Sequence, residues 1–149
     1  MNFDSYPIEV ALVKGGINKS WLIKPESNWT YWSVQAESLH GIKRETLLQE
    51  GIDAGIVVDE INAFLADEFV VYSDAPQWDD DWINILYFAV GKTKSFYVHS
   101  VYELMSEQEK LSFESYRQQF VEAKEFNLHR AKDDALMLSK AYRLLRSNN

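Results

Sequence analysis

Cysteine does not occur anywhere in the 149 residues, so a disulfide framework, a thiolate zinc site and a cysteine nucleophile are all ruled out. Long apolar runs are missing too. No stretch approaches the roughly 18 apolar residues that a membrane span needs, and residues 1–7 (MNFDSYP) have no basic region followed by an apolar run. The expectation is a cytoplasmic protein with no membrane partner. Positive charge is scarce, with 15 Lys and Arg against 23 Asp and Glu and a formal net charge of −8. Broad, non-specific binding of nucleic acid is therefore disfavoured, because that affinity comes from Lys and Arg displacing counterions from phosphates. A local site is not excluded, since divalent cations held between carboxylates reverse the local charge. Repeats, low-complexity tracts and linkers are absent as well.

What is present is apolar. Hydrophobic residues make up 46% of the chain and aromatics 14%, which is outside the range of disordered sequences. The length suits one domain, spanning residues 1–149, with a core of its own. Pro7 to Val13 alternates around β-branched residues and stops at Gly15-Gly16, and Ser20 to Ile23 reads as its hairpin partner. Lys24 to Ser38 is irregular and reads as an ordered loop. Helical patterns follow over Arg44 to Glu50 and Asp53 to Ala66, the second with Val57, Ile61, Phe64 and Leu65 on one face and Asp53 as N-cap.

Glu68 to Tyr72 is a short apolar strand. Trp78 to Val90 is a helix with Trp82, Ile85, Leu86 and Ala89 on one face, and Gly91 stops it. Ser95 to His99 is β-like, and helices are predicted from Ser106 to Ala123 and from Ala131 to Leu145. In the last of these, Ala135, Leu138, Tyr142 and Leu145 form the stripe expected to be buried. A hairpin followed by β-α-β-α alternation predicts an α/β fold, a mixed sheet with helices on its faces.

Polar groups stand in three places where packing alone does not require them. In Ser73 to Trp82, acidic residues follow a buried strand and occupy the first turn of a helix, where capping and the helix dipole are the ordinary explanation. His129 to Ala135 is another helix start; Asp133 suits a capping role, whereas Asp134 points nearer the core face. Ala36 to Ile42 ends in Gly41, which can take a positive φ or admit a ligand closely.

Taken in order, these segments resemble exonucleases of the DEDDh type, which are similar to the proofreading subunits of replicative polymerases and have the RNase H-like fold. The resemblance runs from Ser5 to about Arg146. Ser5-Tyr6-Pro7-Ile8-Glu9-Val10 resembles the family's second strand. Leu22 to Pro25, Trp29, Trp32, Ala36-Glu37 and Leu39 to Ile42 resemble the segment after it. The resemblance implies that His40, Gly41 and Ile42 lie beside a terminal nucleotide, with Asp74 and Trp82 also on the substrate. It also implies that Asp79 and Asp134 are metal ligands and that His129, in the His-x4-Asp pattern, is the general base.

Two-metal phosphodiester hydrolysis of this kind uses Mg²⁺ or Mn²⁺, hard cations that take oxygen ligands. A histidine of ordinary pKa can take the water's proton near neutrality, and exposed aromatics can stack unpaired bases. For Trp29, Tyr31 and Trp32, plain packing explains the residues equally well.

The family's first motif, Asp-x-Glu on the first strand, has no counterpart. Only Met1 to Asp4 precede Ser5, and Glu9 already belongs to the second strand of the pattern. Two carboxylates in place of four imply a weakly held or single ion and impaired or absent hydrolysis. Loss of that central strand also implies unpaired sheet edges, which a homodimer could cover. The expected function is thus a 3'-5' exonuclease-like protein acting on single-stranded DNA or RNA ends. The alternative is a non-catalytic module on an RNase H-like fold that binds nucleic acid or protein.

Overall fold

The computed structural model describes residues 4–147; Met1 to Phe3, which enter the reading of the first motif, lie outside them. Strands β1 (Glu9–Lys14) and β2 (Ile17–Leu22) form an antiparallel hairpin in the register Glu9↔Leu22 to Lys14↔Ile17. Gly15 and Gly16 turn it with φ of 58° and 80°, the double positive φ of a type I′ turn that matches strand twist.

The segment expected to be a loop instead contains helix α1 (Val34–His40), which begins inside it. Ser33 caps this helix by accepting from the Ala36 N–H, and Gly41 ends it in the left-handed region at φ 72°. The seven-residue helix buries no side chain fully, so it leaves no apolar periodicity to read. Helix α2 (Arg44–Glu50) follows, then α3 (Ala54–Leu65), where Asp53 accepts from the Gly55 N–H as the N-cap. Strand β3 (Val70–Ser73) leads into α4 (Pro76–Ala89), and β4 (Tyr97–Ser100) pairs parallel to β3. A short 3₁₀ turn, then α5 (Glu107–Glu122) with a Ser106–Glu109 capping box, and α6 (Ala131–Ser147) complete the chain.

The fold is α/β, as the alternation predicted. The strands, however, do not form one mixed sheet: β1 pairs only with β2, and β3 only with β4, among the described residues. The buried side chains also fall into two groups. One joins the hairpin, α3 and α4 through Val10, Trp21, Ile23, Val57, Ile61 and Leu86. The other joins the helical pair α5 and α6 through Phe113, Phe120, Met137, Ala141 and Leu145.

Two predicted stripes are corrected. In α4 the fully buried positions are Leu86 and Tyr87, while Ala89 is exposed; Tyr87 faces α3, where its hydroxyl donates to Asn62. In α6 the buried positions are Met137, Ala141 and Leu145. Of the predicted stripe only Leu145 is fully buried; Leu138 and Tyr142 are half-buried against the same group, and with Ala135 they also line an open cleft. No helix among the described residues is long and apolar enough to cross a membrane.

Candidate functional site

A cleft of about 1100 Å³ lies between β1 and β3 and extends to the start of α6. His40, Ile42, Asp74, Asp79, Trp82, His129 and Asp134 all line it; Gly41, the remaining residue of the set, does not. Segments nearly 100 residues apart thus line one cavity, and each arrives by a local device.

His40 ends α1. Its Nδ1 accepts from the Ile42 N–H at 3.0 Å, which fixes the ring, and Trp32 meets it edge-on with centroids 6.0 Å apart. Burial lowers the His40 pKa, with Arg130 and His129 adding to the effect against Glu37 and Glu9. The imidazole is therefore neutral near pH 7.

Asp79 sits in the first turn of α4, but it caps nothing. The cap position is Ala75, whose N–H is accepted by the Ser73 hydroxyl oxygen at 2.9 Å, and that hydroxyl in turn donates to Asp79. Asp79 keeps a water-accessible face yet is recessed in the cleft, and this desolvation pushes its carboxyl above the usual range. The Ser73 bond opposes the shift and the charge of Asp74 adds to it. Asp134, in the first turn of α6, is raised as well, chiefly by burial; the Asp74 charge reinforces this, while His129 and Arg117 oppose it. Both carboxyls line the cleft and both feel the Asp74 charge, though neither shifts the other.

His129 is exposed on the rim and adopts φ 65°. A left-handed non-glycine residue is uncommon, and here it turns the chain into α6. The capping role expected of Asp133 goes elsewhere: its carboxylate accepts from the Asn127 N–H at 2.7 Å and so closes the preceding loop. The first N–H of α6 is satisfied by Glu9 from β1, which accepts from Ala131 at 2.8 Å and takes two bonds from Arg130, at 3.0 and 3.2 Å. Glu9 thereby locks the His129–Asp134 segment onto the hairpin. Its place in a strand hid that role.

Asp74 is tied to Arg117 of α5, which donates to it at 2.6 Å. Arg117 also donates to Tyr102, whose hydroxyl gives its proton to Glu114 at 2.6 Å. Burial and then that bond push the Tyr102 phenol up to about 12. Nothing in the sequence marked Arg117, because its partner lies 43 residues away.

The aromatics divide. Trp29 is buried and stacked on Tyr6 at 5.2 Å, a packing role, whereas Tyr31 and Trp32 line the cleft.

Asp79 and Asp134 are donors of the kind Mg²⁺ or Mn²⁺ takes. Their number falls short: among the described residues no group of three or more His, Asp or Glu is arranged to hold a metal ion, and Asp74 is engaged by Arg117. These side chains alone do not make a two-metal cage. Comparison with protein-family models, with curated proteins and with solved structures finds no match.

Proposed function

We propose that this chain is a 3'-5' exonuclease-like protein that receives single-stranded DNA or RNA ends in the cleft, with a hydrolytic centre that is incomplete in the chain as given. The carrying observation is convergence: His40, Asp74, Asp79, His129 and Asp134, from three separate segments, line one cavity. In this reading the neutral His40 and the edge of Trp32 flank the terminal nucleotide, and Tyr31 offers a face to a base. In the same reading His129, exposed on the rim beside Asp134, accepts a proton from water. Asp79 and Asp134 hold at most one weakly bound Mg²⁺ or Mn²⁺, which when present neutralises charge on the phosphate.

The test is binding and turnover of a 3'-labelled single-stranded oligonucleotide. Expected are measurable end binding that weakens in His40→Ala, and trace Mn²⁺-dependent cleavage that His129→Ala removes. Binding that ignores both substitutions would sink the proposal. The open edges of β1 and β3 favour a second reading, a binding module without catalysis; retention of oligonucleotide unchanged by EDTA, with no cleavage, would select it.

A further inference from the structure

The cleft is bounded by two sheet edges. Every residue from Ser5 to Lys14 lines it and no residue of β2 does; likewise all of Val70 to Ser73 line it, with only Val98 from β4. Ile23 donates to the Ile8 carbonyl at 2.9 Å, so by alternation Val10, Leu12 and Lys14 bond toward β2. Glu9, Ala11 and Val13 then direct N–H and C=O to the opposite edge. In the parallel pair, Tyr97 donates to the Phe69 carbonyl at 2.8 Å, which turns the backbone of Val71 and Ser73 toward β4 and that of Val70 and Tyr72 away from it. None of these outward groups has a backbone partner among the described residues.

Away from the polar residues of the candidate site, the space between the edges is walled by apolar side chains. Ile61 and Phe64 of α3 line it, as do Leu138 and Tyr142 of α6, and these helices belong to different buried groups. Successive side chains of a strand point to opposite faces, so one extended segment could serve both groups while pairing with both edges. Backbone donors and acceptors beside an apolar cleft are poorly served by water alone.

We propose that this cleft is a strand-accepting groove, and that its occupant is an extended segment of a partner polypeptide, apolar on both faces, which joins the two sheets into one. A strand with a sheet neighbour on each side and a helix on each face reads as a near-continuous Val, Ile and Leu run. That is the chemistry of the partner. The groove rests on the sheet edges and the apolar walls, and it stands whether or not the chain is related to nucleases.

The experiment is hydrogen exchange on the full chain with a Lys-flanked peptide of Val and Ile, long enough to span Glu9 to Val13. Saturable binding is expected, with exchange slowed roughly tenfold or more at Ala11, Val13 and Tyr72 together. An N-methylated peptide with the same side chains is expected not to bind, since it cannot join a ladder. Protection of only one edge, or equal binding of the N-methylated peptide, overturns the proposal. So does a dimer without peptide that protects the same amides, which would make a second copy of the chain the occupant. Ala11→Pro, which removes a donor on the open edge and spares the β1–β2 ladder, is expected to abolish peptide binding.

Discussion

Arg117 of α5 donates to Asp74, just beyond β3, at 2.6 Å, and so joins the helical group of buried residues to the edge of the cleft. The pair also neutralises the carboxylate whose charge raises both Asp79 and Asp134. Replacing Arg117 with Met is expected to cost about 1–3 kcal/mol, since a half-buried charge loses its partner, and to push the Asp134 titration further up, because Arg117 opposes its shift. Urea unfolding checks the first effect, and carboxyl chemical shifts followed against pH check the second.

Glu9→Ala removes the acceptor of the Ala131 N–H and of two Arg130 bonds. A loss of about 1–3 kcal/mol is expected, because the Glu9 side chain is buried and its partners are left without it. Amide exchange should speed up first at the start of α6, while the hairpin stays protected. Unchanged exchange at Ala131 would mean that Glu9 does not hold the helix.

The raised carboxyls make a signed statement about pH. Asp134 binds its proton more tightly folded than unfolded, so its contribution favours the fold at low pH. That contribution is lost as pH rises from the ordinary Asp value of about 3.9 through the raised folded value. Asp134→Asn is therefore expected to match the parent near pH 3 or so and to exceed it in stability at neutral pH. Urea midpoints over a pH series decide it: a variant curve parallel to the parent throughout would be the contrary result.

Two glycines separate space from backbone strain. A Cβ on Gly51 would run into the Leu47 carbonyl oxygen and meet the Lys24 nitrogen at 2.6 Å, although its φ of −63° suits any residue. Gly41 has open space around its Cβ position but a φ of 72°. Gly51→Ala is expected to cost roughly 1–3 kcal/mol from overpacking, and Gly41→Ala about 1–2 kcal/mol from left-handed strain. Thermal melting of the two variants gives the comparison.

Residues with strong local signals were legible in the sequence. Gly15-Gly16 dictated the hairpin turn, Arg44 to Glu50 matched α2, and Asp53 and Ser106 stood where α3 and α5 begin. Helix α1 was not, because it is short and buries no residue fully. The α6 stripe was misassigned for a different reason: Leu138 and Tyr142 have the periodicity of a packed face, and periodicity cannot tell a filled interior from an open cleft. For the site, the resemblance singled out residues of which all but Gly41 line a common cavity. It could not supply Glu9 or Arg117, whose roles are contacts between elements distant in sequence.

A molecule whose apolar interior is divided by a cleft has less reason to melt as one unit. The hairpin with α3 and α4 and the α5–α6 pair each enclose a buried group of their own, joined where α6 lies against the hairpin strands and by the Glu9–Arg130 and Arg117–Asp74 bonds. Calorimetric and van't Hoff enthalpies should diverge for this protein as it stands. They should converge once a strand occupies the gap, because the same filler that completes the sheet would weld two cooperative units into one.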